Sequence, residues 1–262
     1  AEATGGSSKA MAGVKPLTEM MATDKHNGED SGLYGGGLNT PPETHQSAAT
    51  KELVMIEPLD KDGKPSKEGK IVLLSIGMSN TTQEFSPFKQ AADSNSRKSP
   101  SVVLVDGAQG GQGAAEWIGP GSERVWQTLD NRITSAGVTH KQVQALWLKQ
   151  AEKNPARDSM ENARVLQKHI VEILNTVKTK CPNLRIAYLS SRTYGGYSGR
   201  HPEPESFETA LSVRWVIQDQ IAGKSELNWD PARGAVKAPL IRWGPYLWAH
   251  GPNPRPSDGL NW

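Results

Sequence analysis

Five short apolar runs, separated by segments with helical periodicity, constrain most strongly how this chain folds. The apolar runs cover residues 70–77, 101–106, 144–149, 184–189 and 239–243. The clearest helical segments cover residues 122–136, 157–180 and 205–222. Short apolar runs bounded by turn residues are typical of strands that are covered on both faces of a sheet. We therefore predict an α/β fold, with a parallel five-stranded sheet in a three-layer α/β/α sandwich.

The N-terminal quarter of the chain differs in composition from the rest. Residues 1–68 contain few apolar side chains and are punctuated by glycine and proline, as in Gly35-Gly-Gly37. The short run Leu53-Val-Met-Ile56 is a strand candidate, and residues 60–65 predict a turn or hairpin tip. We expect residues 1–68 to form a partly ordered N-terminal arm that lies over the α/β domain of residues 69–262.

Composition and charge exclude several classes of function. The 262 residues carry a formal net charge of +2 and their basic side chains are scattered, so we expect no nucleic-acid partner. The single cysteine, Cys181, excludes an internal disulfide. No two histidines have the spacing of metal ligands, so we expect no metal and no cofactor. No apolar run approaches the roughly 20 residues that span a bilayer, which argues against a transmembrane segment.

The first residues bear on where the protein acts. The chain begins Ala-Glu-Ala rather than with methionine. Such a start fits an exported protein after removal of its signal, and we expect a secreted or periplasmic protein. The sequence contains no indication of the oligomeric state.

Chemically useful residues recur just after the predicted strands. They are Ser79 after the first strand, the glycine cluster 107–113 after the second, Gln150 after the third and the segment 190–197 after the fourth. The carboxyl ends of parallel strands lie along one edge of a sheet, so residues distant in sequence can converge there. Each signal taken alone has an ordinary interpretation: Ser79 as a helix cap, the glycines as a tight turn and Gln150 as a polar residue that ends a strand.

Three of these segments together resemble one known family. They are Ile76-Gly-Met-Ser-Asn80, Ala108-Gln-Gly110 and Trp147-Leu-Lys-Gln150, and the set resembles the SGNH (GDSL-type) hydrolase superfamily. The resemblance covers roughly residues 70–262 and implies a flavodoxin-like three-layer fold. It also implies a serine hydrolase of carboxylic esters, such as acyl or acetyl groups on carbohydrates or lipids, and therefore a small-molecule or carbohydrate ester as the binding partner.

The resemblance also implies roles for individual residues. Ser79 takes the position of the nucleophile, and Gly110, or else Gly111, takes that of the glycine that donates to the oxyanion. Gln150 replaces the asparagine donor of the family, which keeps the amide group but lengthens its reach. The Gly-Asp-Ser-Leu signature is altered here to Gly-Met-Ser-Asn.

The catalytic base is where the sequence departs from the family. The family carries an Asp-x-x-His pair near its carboxyl terminus, whereas the local match here, Asp258-Gly-Leu-Asn261, has asparagine in place of histidine. The resemblance therefore implies that this chain lacks its catalytic histidine and that the base lies in a segment beyond Trp262. His250, after the fifth predicted strand, is a second candidate. We interpret the other histidines as ordinary residues; they are His26, His45, His140, His169 and His201.

The loops after the fourth and fifth strands also suggest substrate contacts. Tyr194 and Trp248 lie in glycine- and proline-rich segments and are candidates for stacking on a sugar or acyl group. Arg192 is a candidate partner for a carboxylate on the substrate. The sequence thus leaves two hypotheses open. One is a serine ester hydrolase that uses Ser79, and the other is a non-catalytic SGNH-like binding or assembly module with the same cleft.

Overall fold

A computed structural model describes residues 13–155 and 159–262, which form one parallel sheet flanked by helices on both faces. The strands are β1 (Ile71–Gly77), β2 (Val102–Asp106), β3 (Val143–Lys149), β4 (Ile186–Ser190) and β5 (Leu240–Trp243). They pair in the order β2-β1-β3-β4-β5, and every pairing is parallel. All five predicted strands are therefore confirmed, as is the α/β class.

Five α-helices connect and cover the strands. They are α1 (Glu43–Val54), α2 (Ser79–Asp93), α3 (Glu123–Ser135), α4 (Ser159–Lys180) and α5 (Glu205–Ile221). Short 3₁₀ turns cover Leu17–Glu19, Ala114–Trp117, His140–Gln142, Ser225–Leu227 and Pro231–Arg233. The three helices predicted from periodicity correspond to α3, α4 and α5. The first two residues of the predicted 157–180 helix, and residues 1–12 of the arm, lie outside the described residues.

Alternation along the strands distributes apolar side chains to two layers. Val72, Leu74 and Ile76 of β1 are fully buried and face a large cluster that includes side chains of α3, α4 and α5. On the opposite face, Phe85 of α2 stacks on Trp147 of β3, with ring centroids 5.9 Å apart. Helix α1 packs on β4 and β5 of that same face. The result is the predicted three-layer sandwich.

The N-terminal segment is bound to this sandwich by buried contacts. Leu17 is fully buried in the main core cluster, and its backbone N–H donates to the hydroxyl of Tyr246 at 3.0 Å. Glu29 accepts hydrogen bonds at 2.9 Å from Arg214 and from Trp215 of α5. The strand candidate Leu53-Val-Met-Ile56 is wrong, because Leu53 and Val54 end helix α1. The predicted turn at residues 60–65 is present, with the N–H of Asp60 donating to Lys64.

No helix within residues 13–155 and 159–262 is long and apolar enough to cross a membrane.

Cys181 lies just after α4 and is fully buried, and this burial raises the pKa of its thiol to about 12. The thiol is therefore protonated at neutral pH, which argues for a structural role of this residue.

Candidate functional site

The carboxyl ends of three neighbouring strands lie level with one another. In the register of the sheet, Gly77 pairs with Lys149 and Lys149 pairs with Ser190. The loops that follow β1, β3 and β4 therefore begin at the same height. A cavity of about 390 Å³ opens at this edge. Its lining includes residues from four post-strand segments: Ser79, Gly111, Lys153, Arg192 and His201.

Ser79 is the first residue of α2, and its side chain is exposed to this cavity. The residue that caps the helix is Met78, in an extended conformation, and no side chain caps the helix by a hydrogen bond. The ordinary interpretation of Ser79 as a capping side chain therefore does not hold. The N-terminus of an α-helix carries partial positive charge, which favours negative charge that develops next to it.

Close packing explains the glycine that precedes Ser79. A Cβ at Gly77 would lie 2.1 Å from Oγ1 of Thr81 and 2.3 Å from the carbonyl oxygen of Lys149. That Thr81 hydroxyl donates to the same carbonyl at 2.8 Å and ties the first turn of α2 to the end of β3. The backbone carbonyl of Gly77 also accepts from the N–H of Gln109 at 2.9 Å. Gly77 therefore lets three strand ends meet beside Ser79.

The backbone N–H groups of Ser79 and Gly110 have no acceptor among residues 13–155 and 159–262. Gly110 is adjacent to the serine, since a Cβ on Gly110 would lie 3.8 Å from the Ser79 Cβ. Gly111 lines the cavity with φ of +73°, a conformation that favours glycine. The loop after β2 therefore contributes Gly111 to the cavity lining and places Gly110 beside Ser79.

Gln150 lies behind this loop rather than on the cavity. Its side chain is buried, its amide nitrogen is 3.5 Å from the carbonyl oxygen of Gln112, and its Oε1 has no partner among the described residues. Gln150 is absent from the cavity lining that contains Ser79. The structure therefore places Gly110 beside Ser79, whereas the Gln150 amide is buried outside the lining of the cavity.

His201 lines the same cavity as Ser79 and is the functional candidate that sequence interpretation missed. Its Nδ1 lies 3.3 Å from Oε2 of Glu205, in the first turn of α5. Both atoms are buried, and neither makes an aligned hydrogen bond with a described residue. The other oxygen of Glu205, Oε1, accepts a long hydrogen bond of 3.4 Å from Asn162. The only sequence signal for this pair is its i, i+4 spacing.

Arg192 lines the same cavity. Its Nε donates to Oγ of Ser206 at 3.3 Å, and its backbone N–H donates to Thr209 at 3.0 Å. Burial lowers the pKa of Arg192, while the carboxylates of Glu205, Glu203 and Glu84 act in the opposite direction. The side chain is therefore a fixed, partly desolvated cation at the cavity wall.

The two predicted aromatic contacts differ in accessibility. Trp248 is fully buried, and its indole N–H donates to Oε1 of Glu203 at 2.8 Å. Its ring supports Tyr194, which is partly exposed and lies edge-on to it, with ring centroids 6.1 Å apart. Tyr194 does not belong to the lining of the cavity that contains Ser79. Trp248 is not placed to touch a ligand.

The carboxyl-terminal candidates for a base are engaged elsewhere. The ring of His250 stacks on Trp248 at 6.0 Å, and its Nδ1 is 3.4 Å from the side-chain amide of Asn253. Asp258 forms an ion pair with Arg255, and this hydrogen bond lowers the pKa of the Asp258 carboxyl. Neither His250 nor Asp258 belongs to the lining of the cavity that contains Ser79.

Comparisons with known proteins yield a distant structural similarity. No protein-family model matches the sequence, and a search of the curated proteins gives no match. Among solved structures, the chain is similar to the crystal structure of protein YxiM from Bacillus subtilis, with 11% identity and a TM-score of 0.31. The match covers 61% of this chain and 43% of that one, so it spans less than half the length of YxiM.

Proposed function

We propose that this protein is a serine hydrolase of carboxylic esters in which Ser79 is the nucleophile and His201 is the general base. One observation carries the proposal: the exposed Ser79 and the largely buried His201 line a single cavity at the carboxyl edge of the sheet, and Nδ1 of His201 lies 3.3 Å from Oε2 of Glu205. A nucleophile, a base and a carboxylate that orients the base are the three groups that acyl transfer by serine requires.

Acylation of Ser79 begins with the orientation of the base. Glu205 accepts the N–H at Nδ1 of His201, which leaves Nε2 free to accept a proton. Nε2 removes the proton of the Ser79 hydroxyl as Oγ forms a bond to the carbonyl carbon of the ester. The carbonyl oxygen becomes an oxyanion and accepts hydrogen bonds from the N–H groups of Ser79 and Gly110. When the intermediate collapses, the alcohol leaves with the proton from Nε2.

Deacylation uses the same groups with water. Nε2 of His201 removes a proton from a water molecule, whose oxygen attacks the carbonyl carbon of the acyl-serine. The bond to Oγ of Ser79 breaks, Oγ takes the proton back from Nε2, and the carboxylic acid is released. The helix N-terminus at Ser79 stabilises the oxyanion in both steps, because its partial positive charge lies where the negative charge develops.

This mechanism differs from the one that the family resemblance implies. The resemblance places the base in an Asp-x-x-His pair at the carboxyl terminus. In the proposed mechanism the base comes from the loop that follows β4, and the orienting carboxylate comes from the start of α5. The N–H groups of Ser79 and Gly110 remain the oxyanion donors in this proposal because Gly110 lies beside Ser79, whereas the buried Gln150 is given no role.

The test is hydrolysis of 4-nitrophenyl acetate by the protein and three variants. We expect Ser79→Ala and His201→Asn each to lower kcat/KM by about 10³-fold or more, because each removes a group needed in the chemical step. His250→Asn is the matched control: its ring packs on Trp248, outside the cavity lining, so its kcat/KM stays within a factor of about two of the parent value.

The outcomes distinguish the serine hydrolase from the non-catalytic binding module, the two hypotheses that the sequence leaves open. Activity that survives in Ser79→Ala excludes Ser79 as the nucleophile. Full activity in His201→Asn excludes His201 as the base while leaving Ser79 in place. If the parent protein hydrolyses no acetyl or acyl ester and a fluorophosphonate does not label Ser79, the non-catalytic binding module replaces the hydrolase.

A further inference from the structure

The charges around the cavity that contains Ser79 are of one sign. Its lining includes three cationic side chains, those of Lys153, Arg192 and Arg200, and no carboxylate among the described residues. The whole chain carries a formal net charge of only +2. The cavity lining is therefore locally cationic in a chain that is nearly neutral as a whole, and this charge favours an anion close to Ser79.

Arg192 is the best-positioned of these cations. Its Nε is held by Ser206, which fixes the plane of the guanidinium, and no carboxylate in the described ranges lies within 4.0 Å of its charged nitrogens. The Nη groups are thus available, and a planar guanidinium matches the two oxygens of a carboxylate. Burial disfavours the charged form of Arg192, so a bound anion would offset a penalty that the side chain already experiences.

The other two cations contribute more weakly. Lys153 lies 3.9 Å from Glu116, so part of its charge is already compensated by that carboxylate. Arg200 is exposed on the loop that carries His201, and its side chain has no ion-pair partner among the described residues. We therefore place the specific contact at Arg192 and assign to Lys153 and Arg200 a longer-range attraction, which salt screens.

We propose that the natural substrate is an ester whose alcohol or acid part carries a carboxylate, and that Arg192 binds this carboxylate while Ser79 attacks the ester carbonyl. The inference rests on the proposed function, since it names the substrate class of the same site. It is carried by the excess of cationic side chains in the cavity lining and by a guanidinium that forms no ion pair within residues 13–155 and 159–262, neither of which the hydrolysis of a neutral ester requires.

The kinetic test uses two acetyl esters that differ only at C6, which is a carboxylate in an acetylated methyl galacturonoside and a neutral hydroxymethyl group in an acetylated methyl galactoside. We expect kcat/KM for acetate release to be at least about tenfold higher for the anionic ester at low salt, as one charge-assisted hydrogen bond predicts. Arg192→Gln lowers kcat/KM for the anionic ester about tenfold more than for the neutral one. Arg200→Gln, at an exposed position where folding is not at risk, reduces the preference by a smaller factor.

Arg185→Gln is the matched control, since Arg185 forms an ion pair with Glu52 at 3.2 Å and is absent from the cavity lining. We expect this variant to keep the preference of the parent protein. Equal rates for the two esters, or a preference that survives in both Arg192→Gln and Arg200→Gln, would overturn the inference and leave the proposed hydrolase standing.

A binding measurement separates this inference from the hydrolase itself. Calorimetry with Ser79→Ala and methyl galacturonoside requires no catalysis. We expect binding that weakens at least about tenfold when Arg192→Gln is added, and that also weakens from about 20 mM to about 500 mM salt. Binding of this kind in a protein without esterase activity would retain the anion site and refute the hydrolase. Equal binding of methyl galactoside would overturn the anion site.

Discussion

At the scale of single residues, the proposed chemistry depends on the carboxylate next to His201. Glu205→Gln keeps the size of the side chain but removes its charge, so the imidazolium that forms during catalysis loses its stabilisation and its orientation. We expect kcat for ester hydrolysis to fall by about 10²- to 10⁴-fold, with KM changed much less. The measurement is the pH profile of kcat for the parent and the variant.

Glu208→Gln provides a control on the same helix. Glu208 also lies in the first turn of α5, but its carboxylate approaches His26 at 2.6 Å rather than His201. We expect its loss to affect stability and to leave the pH profile of kcat unchanged. A Glu205→Gln variant that retains the parent kcat and pH profile would show that His201 acts without this carboxylate, or does not act at all.

At the scale of elements, the turn from β1 into α2 depends on Gly77. The methyl group of alanine would collide with Thr81 and with the backbone of Lys149, two groups that are themselves hydrogen-bonded. We expect Gly77→Ala to lower the free energy of unfolding by about 1–3 kcal/mol, as overpacking of a tight site does. Urea unfolding measures the change, and the displaced α2 N-terminus should lower esterase activity as well.

Gly199→Ala is the comparison for this element. A Cβ on Gly199 meets no atom within 4 Å, and its φ is not in the left-handed region. We expect the free energy of unfolding to change by less than about 0.5 kcal/mol, as for most surface substitutions. Equal destabilisation by Gly77→Ala and Gly199→Ala would contradict the close packing at the strand ends.

The sheet was predictable from sequence because its strands are buried on both faces and read as continuous apolar runs. Helix α1 was not, since Glu-Thr-His-Gln-Ser-Ala-Ala-Thr has no apolar stripe and only Leu53 and Val54 at its end look strand-like. The position of Ser79 followed from the same sheet logic. The position of His201 could not be predicted in this way, because His201 and Ser79 are far apart in sequence and meet only in the folded chain. The i, i+4 spacing of His201 and Glu205 is too common to indicate a functional pair.

At the scale of the whole molecule, an ion pair with a buried arginine joins the N-terminal segment to the sandwich. Arg214 of α5 is fully buried and binds Glu29 at 2.9 Å, and it also donates to the backbone carbonyl of Asp30. Arg214→Ala removes the donor to Asp30 and one of the donors to Glu29, so we expect the free energy of unfolding to fall by about 3 kcal/mol. Urea unfolding followed by tryptophan fluorescence measures the loss.

Arg164→Ala is the matched control because Arg164 binds the same carboxylate of Glu29 at 3.1 Å from a half-exposed position. An exposed pair contributes less than about 1 kcal/mol, so this variant should stay close to the parent apart from the contact of Arg164 with Trp215. Similar losses for Arg214→Ala and Arg164→Ala would mean that the N-terminal segment is not held by the buried pair.

Two histidines on opposite faces of the sheet give stability opposite dependences on pH. Burial lowers the pKa of His45 in α1, so its contribution is present above the unfolded-state value and is lost as pH falls. The hydrogen bond to Glu152 raises the pKa of His169 in α4. Its contribution is therefore present below the unfolded-state value and is lost as pH rises through the folded-state value.

The prediction concerns the change in unfolding free energy between about pH 5.5 and about pH 8, which brackets the unfolded-state histidine value of roughly 6.5. His169→Gln removes a contribution that declines with rising pH. From the lower to the higher pH, the unfolding free energy of this variant should therefore increase more, or decrease less, than that of the parent. His45→Gln removes a contribution that increases with rising pH. The unfolding free energy of this variant should therefore increase less, or decrease more, than that of the parent over the same interval. The double variant should show the sum, because the two sites share no partners; shifts of the same sign would refute this assignment.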